Sequence, residues 1–221
     1  MIVASYNVHR CLGRDRREDV DRIGAVIREL GADVVGLQEV GATQLSRLAS
    51  CTRLHAVHGP LLHLSDGAVG NAIFSPQPPG AVRFIDLRIG RREARGAIDA
   101  DIEVGGQPVR VVVTHLGLLG NERRRQMLLL RDALRSRTPG VPLVILADLN
   151  EWFAGARTLR SLLDLGGGSV RSFPSSWPAL PLDHVLVHPR HLLGEVRAHA
   201  SPLARVASDH LPVCGRLSAL G

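Results

Sequence analysis

The sequence predicts a mixed α/β fold that forms a single domain over residues 1–221. Short apolar runs bounded by turn residues recur along the chain, as in buried strands, and other segments repeat apolar residues at helical spacing. The chain is 45% apolar and 22% charged, the balance of an ordinary globular protein. No internal repeat or long linker divides it, so we expect one hydrophobic core.

The first forty residues predict a strand, a helix and a second strand. The run from Ile2 to Val8 is typical of a buried strand, and the charged segment 13–18 is predicted as a loop. Residues 33–40 form another short apolar run, which predicts the second strand. The intervening helix, stopped by Gly31, is predicted from an apolar face made of Val20, Ile23, Val26, Ile27 and Leu30.

The remaining residues predict further strands and two more helices. Gly105 and Gly106 indicate a hairpin turn, and segment 166–181, rich in Gly, Pro and Ser, is predicted as a loop. One helix is expected from a cap at Asn121 to about residue 137, and a shorter one at 158–165. The inward side of the longer helix is Met127, Leu130 and Leu134. The strands are expected at 70–75, 81–87, 96–104, 109–116, 143–149, 183–187 and 211–217.

The composition narrows the classes of function. The formal charge of +6 suits phosphate-bearing partners, but every cation is an arginine, so codon bias explains the charge equally well. Two Trp, one Tyr and four Phe are few for a dedicated single-strand binder, which stacks bases on aromatic faces. Three scattered cysteines predict free thiols. Without a leader or a long apolar stretch, we expect a cytoplasmic monomer with no stable membrane insertion.

Polar or charged residues recur where the predicted strands end. One such residue is usually a strand-end cap or a solvated turn. Several together predict a functional site, because a packed sheet delivers strand ends to one edge. The residues are Asn7, Glu39, His115, Asp148, Asn150, Asp183, Asp209 and His210.

Seven sequence runs carry a family resemblance, in order along nearly the whole chain. They are SYNVH (5–9), VVGLQEV (34–40), GNAIFS (70–75), VVVTHLG (111–117), ILADLNE (145–151), LDHVLV (182–187) and SDHLPV (208–213). With them the chain resembles the endonuclease/exonuclease/phosphatase superfamily. The resemblance implies a four-layer αββα sandwich, in which two mainly antiparallel sheets pack face to face with helices outside. It also implies a magnesium-dependent phosphoesterase that cleaves a phosphodiester or phosphomonoester with an activated water.

The resemblance also implies a metal site and a water-activating group. Asn7, Glu39 and Asp209 would supply oxygen ligands for Mg²⁺, with Mn²⁺ as the alternative. Scattered cysteines argue against zinc. Asp148 and Asn150, two apart on an extended segment, would orient the attacking water.

Further residues would contact the phosphate. Asp183 would orient His210, and either Asp148 or His210 would take the proton of the water. His115 would stabilise the transition state or protonate the leaving group.

The sequence allows two interpretations for each of three further features, which are Arg95, Asn71 and the arginine run 123–125. Arg95 is a phosphate clamp or a surface arginine. Asn71 lies near the substrate or is a turn asparagine. The arginine run 123–125 is favoured as a solvated helix face over a polyanion site.

The sequence does not decide between classes of substrate. The short stretch between Glu39 and Asn71 leaves little room for duplex-gripping insertions. A phospholipid or another small phosphodiester is therefore as well supported as DNA or RNA cleavage by a nuclease. A catalytically silent binding module with the same fold is the alternative from another class.

Overall fold

A computed structural model of the chain describes residues 1–64, 67–136, 138–152, 166–167 and 170–218. The predicted helix at 158–165 lies outside these residues. The helices are α1 (Val20–Leu30), α2 (Ala42–Thr52), α3 (Gly120–Ala133) and α4 (Ala204–Ala207). The strands are β1 (Ile2–Asn7), β2 (Val34–Gly41), β3 (His55–Leu64), β4 (Gly67–Ser75), β5 (Val82–Asp86), β6 (Gly96–Val104), β7 (Gln107–His115), β8 (Leu143–Asp148), β9 (Gly166–Gly167), β10 (Asp183–His188), β11 (Leu193–Ala198) and β12 (Val213–Leu217).

The strands form two six-stranded sheets. The first sheet has the order β11-β12-β1-β2-β4-β3, and the second has the order β5-β6-β7-β8-β10-β9. Each sheet contains one parallel pair, β1 with β2 and β7 with β8, and the other neighbours run antiparallel. The carboxyl ends of these two parallel pairs carry several of the polar residues that the sequence predicts as a functional site.

The two sheets pack face to face through a core of aliphatic side chains. Val3 and Val34 of the first sheet meet Val113 and Leu146 of the second in this core. The sheets approach closely at Gly36, where a Cβ would lie 2.7 Å from atoms of two opposing side chains. A larger residue there would collide with the opposite sheet.

Helices cover the two outer faces. Helices α1, α2 and α4 pack on the first sheet. Helix α3 packs on the second sheet through Met127, Leu130 and the following Leu134, as the sequence predicts. The four-layer αββα sandwich with mainly antiparallel sheets is therefore confirmed. None of the helices within the described residues is long and apolar enough to cross a bilayer, and all three cysteines are free thiols.

Capping and turn residues explain why helix α1 and the β6–β7 hairpin form where the sequence predicts them. The side chain of Asp19 accepts a hydrogen bond from the Arg22 backbone N–H and so caps α1, and Gly31 ends the helix with φ of 56°. Gly105 and Gly106 have φ of 58° and 78°, which suits the two central positions of the tight hairpin between β6 and β7.

Several predictions were incomplete or wrong. Helix α2 and strands β3 and β11 were not predicted; β11 is an edge strand whose residues are all partly or fully exposed, so it lacks an apolar run. Gly166–Gly167, predicted as loop, pairs with β10. Asn121 lies inside α3 rather than capping it, since the cap is Leu119. Arg123 is buried beside Glu151, so the run 123–125 is not wholly a solvated face.

Candidate active site

The strand register gathers the polar strand ends at one edge of the sandwich. In the parallel pair β7/β8, His115 lies opposite Asp148, and in the antiparallel pair β8/β10, Asp183 also lies opposite Asp148. In the first sheet, Asn7 ends β1 opposite Gln38 of β2. Both parallel pairs end at the same edge, so their terminal side chains converge.

Asn7 joins the two sheets at this edge. Its Nδ2 donates hydrogen bonds of 3.1 Å to Oε1 of Glu39 and 3.0 Å to Oδ2 of Asp148. Its Oδ1 accepts a bond of 3.0 Å from the His9 backbone N–H. One amide therefore fixes the distance between a carboxylate of the first sheet and one of the second.

Glu39 occupies a strained backbone position. Its φ is 58°, and it lies in a bulge where the pairing of β2 with β4 shifts between Leu37 and Val40. The left-handed conformation costs a non-glycine residue about 1 kcal/mol or more. The neighbouring Gln38 is buried and reaches the second sheet, with Nε2 3.4 Å from the carbonyl oxygen of Leu146. The bulge places Glu39 on the cavity, where its side chain is 30% exposed.

His115 is held between an arginine and an amide. Nη1 of Arg95 lies 2.9 Å from Nδ1 of His115, and Nδ2 of Asn150 lies 2.9 Å from Nε2. Arginine and the Asn150 amide nitrogen are both donors, whereas a neutral imidazole has one acceptor nitrogen, so the ring accepts a hydrogen bond from only one of them. Nε2 of His115 also lies 3.5 Å from Oδ2 of Asp148. Burial lowers the pKa of His115 to about 3, and the cations of Arg95 and His210 act in the same direction. The ring is therefore neutral at physiological pH.

Asp148 and Asn150 are brought together by a turn. The Asn150 backbone N–H donates 2.9 Å to Oδ1 of Asp148, and Asn150 has φ of 50°. Its Nδ2 also donates to the carbonyl oxygen of Leu116 at 2.9 Å. Both residues line the cavity, as expected, but not because of an extended segment: asparagine tolerates the left-handed turn that aims its side chain inward.

His210 and Asp183 form a buried pair. Nδ1 of His210 lies 2.8 Å from Oδ2 of Asp183, which also accepts a 2.6 Å bond from the hydroxyl of Ser172. Burial by itself lowers the pKa of His210, but the charge and hydrogen bond of Asp183 and the charge of Asp148 outweigh it and raise the pKa to about 10. The ring of Phe173 lies 4.8 Å from the imidazole. His210 is therefore an imidazolium at neutral pH.

These side chains surround one cavity of about 520 Å³. The cavity wall contains most of the residues singled out from the sequence: Asn7, Glu39, Asn71, Arg95, His115, Asp148, Asn150 and His210. Asp183 acts on the cavity through His210. Asp209 is 36% exposed and lies 3.7 Å from Nδ1 of His9, beside the cavity rather than on its wall.

Arg95 is buried rather than on the surface, and Asn71 lies buried inside β4 rather than in a turn. Arg95 bonds His115 and donates 3.0 Å to Oε2 of Glu93. Asn71 donates from Nδ2 to the carbonyl oxygen of Gly96, 3.0 Å away, and so joins β4 to β6 at the cavity wall.

Sequence reasoning missed several residues of the site. Ser172 and Phe173 lie in segment 166–181, which the sequence predicts only as a loop, and nothing in that stretch marks them before folding brings them to Asp183 and His210. Arg10 and Trp152 also line the cavity. Each follows a predicted site residue by two or three positions, which is the one signal that could have found them.

Two groups of residues could hold a cation. Ligand atoms of Asp148, Asp183 and His210 all lie within 4.8 Å of one another, and Oδ1 of Asp183 is buried without a hydrogen-bond partner among the described residues. The carboxylates of Glu39 and Asp209 are 30% and 36% exposed. They offer hard oxygen ligands with access to water.

Comparison with known proteins decides the family. A sequence profile of the endonuclease/exonuclease/phosphatase family matches residues 4–210. The chain belongs to this family. Its enzymes are metal-dependent hydrolases of phosphoester bonds, and the chain is a hydrolase of this class. The resemblance read from the sequence motifs is thereby confirmed.

Relatives of this endonuclease/exonuclease/phosphatase family protein span its whole length. It is 26% identical over 243 residues to the uncharacterized protein YbhP of Escherichia coli (strain K12), covering 97% of the chain and 95% of YbhP. A functionally unknown conserved protein from Enterococcus faecalis V583 has a similar structure, with a TM-score of 0.84, 16% identity, and coverage of 99% of this chain and 100% of that one. The mannosyl-6-phosphatase Bt3783 of Bacteroides thetaiotaomicron VPI-5482 also has a similar structure, with a TM-score of 0.80 and 17% identity. The match covers 99% of this chain and 100% of that one. At these identities the structural likeness shows the fold alone.

Proposed function

We propose that the cavity hydrolyses a phosphodiester or phosphomonoester with Mg²⁺ as cofactor and Mn²⁺ as the alternative. The observation that carries the proposal is the amide of Asn7, which bonds both Glu39 and Asp148. This amide holds the Glu39 carboxylate, which is suited to bind a metal ion, beside the Asp148 carboxylate, which is suited to activate a water. Phosphoester hydrolysis needs both functions.

Glu39, Asn7 and Asp209 are the proposed metal ligands. Mg²⁺ prefers oxygen ligands, takes few carboxylates and keeps several waters. The partial exposure of Glu39 and Asp209 fits that preference. The alternative group, Asp148, Asp183 and His210, fits it less well because His210 carries a proton on its bond to Asp183. When bound, the ion would neutralise charge on the phosphate and stabilise the leaving oxygen.

Asp148 is the proposed general base. His210 is already protonated, so it cannot accept a proton from water. Oδ2 of Asp148 faces the cavity 3.8 Å from Nε2 of His210, and Asn150 holds the other carboxylate oxygen. As the water oxygen bonds to phosphorus and the leaving P–O bond breaks, the proton of the water passes to Asp148.

The remaining groups stabilise the phosphate. The imidazolium of His210 supplies a positive charge, and Arg95 supplies a second one at the opposite side of His115. His115 itself is neutral, so it would contact the phosphate as an uncharged ring rather than act as a charged acid. These roles need no proton transfer through His115.

The test is metal-dependent hydrolysis across a substrate panel: plasmid and single-stranded DNA, RNA, phospholipids, phosphorylated sugars and bis(p-nitrophenyl) phosphate. Glu39→Gln should lower kcat at least about 100-fold on the substrate that is cleaved. Glu103→Gln, exposed near the far hairpin, should leave the rate within about twofold. Cleavage of nucleic acid alone would make the chain a nuclease. Ligand binding without hydrolysis, unchanged by Glu39→Gln, would make it a silent binding module and overturn the proposal.

A further inference from the structure

Two large apolar side chains stand exposed on the wall of the cavity, and a third exposed leucine is adjacent to one of them in sequence. Leu118 is 66% exposed, Trp152 is 56% exposed, and both line the cavity. Leu119, next to Leu118, is 48% exposed. We call Leu118, Leu119 and Trp152 the apolar rim. Exposed apolar side chains beside a polar site mark a binding surface more often than a single exposed leucine does.

The apolar rim lies close to the reacting groups along the chain. Leu118 follows His115 by three residues, and Trp152 follows Asn150 by two. Consecutive Cα atoms are about 3.8 Å apart, so the Cα atoms of Leu118 and Trp152 are within about 12 Å of a residue of the proposed catalytic site, and that of Leu119 is within about 15 Å. A substituent attached directly to the scissile phosphate therefore reaches the rim.

The inner wall continues this apolar character. Phe173, Leu180 and Leu182 line the same cavity, and Phe173 lies against the His210 ring. The cavity wall therefore has a substantial aliphatic and aromatic part beside its charged groups. An alkyl substituent of the phosphoester can contact these side chains, whereas a polar one would gain no hydrogen bond from the aliphatic ones.

Exposed arginines lie near cavity-lining residues along the chain. Arg124 and Arg125 follow it on α3, and Arg91 precedes the cavity residues Glu93 and Arg95; all three arginines are exposed. Leucine and tryptophan together with arginine are the residues by which proteins rest on anionic lipid surfaces. The +6 charge of the chain acts in the same direction.

We infer that the apolar rim docks on an anionic lipid surface, so that the cavity receives an amphiphilic phosphoester whose alkyl chains contact Leu118 and Trp152. The hydrolytic step rests on the proposed function, whereas the docking does not. A single-stranded nucleic acid is the less favoured occupant, because bases stack on aromatic faces and the rim offers one tryptophan beside two leucines.

Tryptophan fluorescence tests the docking directly, because the chain has only Trp152 and Trp177. The Trp177→Phe variant leaves Trp152 as the reporter. Phosphatidylglycerol/phosphatidylcholine vesicles should shift its emission to the blue and carry the protein down in cosedimentation, and pure phosphatidylcholine vesicles should do so more weakly. In the Trp152→Phe variant the remaining reporter is Trp177, which is 79% exposed and does not line the cavity, and its emission should shift less.

Matched leucine variants locate the docking surface. Leu118→Ser and Leu119→Ser should each weaken partition to the anionic vesicles about tenfold. Leu129→Ser is the control, since Leu129 is 43% exposed on α3 and ten residues beyond Leu119. It should change partition less than about twofold. Equal partition of rim variants and parent would overturn the inference, as would a Trp152 response to oligo(dT) but not to vesicles.

Hydrolysis in the same variants separates this inference from the proposed function. Loss of activity on vesicle phospholipid should exceed the loss on soluble bis(p-nitrophenyl) phosphate by about tenfold in Leu119→Ser. Equal losses on both substrates would overturn the link between docking and substrate. Rim-dependent vesicle binding by a chain that hydrolyses no substrate would leave the docking standing and refute the proposed function.

Discussion

Nδ1 of His210 lies 2.8 Å from Oδ2 of Asp183, and both side chains are buried at the carboxylate-rich edge of the second sheet. The two residues are 27 positions apart in sequence. Their pairing raises the pKa of His210 to about 10 against the effect of burial. A histidine that keeps its proton through neutral pH is suited to hold a phosphate rather than to accept a proton.

Replacing Asp183 should move the pH dependence of catalysis. In the parent, activity should fall as the pH rises through about 10, where His210 loses its proton. In Asp183→Asn the carboxylate is gone while burial remains, so this alkaline limb should move to lower pH. We expect kcat to fall at least about 100-fold at pH 8. Rates from pH 6 to 10.5 test this, and an unmoved alkaline limb would refute the charged role of His210.

The same pair should contribute to stability with a defined sign. Because the folded-state pKa of His210 is raised from 6.5 to about 10, its contribution is fully present below pH 6.5 and is lost as the pH rises to about 10. In Asp183→Asn the free energy of unfolding should therefore vary less over this range than in the parent. Urea unfolding at pH 6.5 and pH 10 measures the difference.

Two substitutions locate the metal. If Glu39, Asn7 and Asp209 hold Mg²⁺, Glu39→Gln should weaken Mg²⁺ binding at least about tenfold, as measured by calorimetry in the absence of substrate. Asp183→Asn should change it less than about threefold. The reverse order would place the ion at the buried group of Asp148, Asp183 and His210.

Arg95 should be required for its guanidinium shape as well as its charge. It bonds His115 and Glu93 through separate nitrogens, and lysine cannot reproduce that fork. Arg95→Lys should lower kcat/KM about 10- to 100-fold. The exposed Arg91 in the same segment provides the control, and Arg91→Lys should behave like the parent on a soluble substrate. Equal kcat/KM values for Arg95→Lys and Arg91→Lys would show that Arg95 has only a structural role.

A second ionic cluster should govern acid stability. The carboxylate of Asp99 accepts hydrogen bonds from Arg110 and Arg83 at 2.7–3.1 Å. Burial alone would raise the pKa of Asp99, but these two guanidinium groups lower it. Asp99→Asn should cost about 2 kcal/mol at pH 7, less than for a fully buried pair because Arg83 is 44% exposed.

The contribution of Asp99 to the free energy of unfolding changes with pH in the opposite direction to that of His210. The pKa of Asp99 is lowered, so its contribution is present above the unfolded value near 3.8 and is lost as the pH falls through the folded-state pKa. The parent and Asp99→Asn should therefore converge in stability on strong acidification. Urea unfolding at pH 7 and pH 3 tests this, and a constant difference would refute it.

Most of the strands and the family motifs could be predicted from the amino-acid sequence alone. Apolar runs such as the one in β8 and the capped, amphipathic α1 depend on local propensity and burial pattern, which a linear sequence displays. The polar residues at the strand ends could be listed for the same reason. Elements without such a pattern were missed: β11 is exposed along its length, and Gly166–Gly167 is a strand only because β10 offers it hydrogen bonds.

The effects of the site residues on one another depend on the packing of the two sheets and could not be predicted from the sequence. Asn7 and Asp148 are 141 positions apart, yet one hydrogen bond joins them. That His115 is neutral and His210 charged follows from burial, Arg95 and Asp183, none of which can be read from the spacing of two histidines. Charge state and orientation depend on neighbours in space, and packing of the two sheets supplies those neighbours.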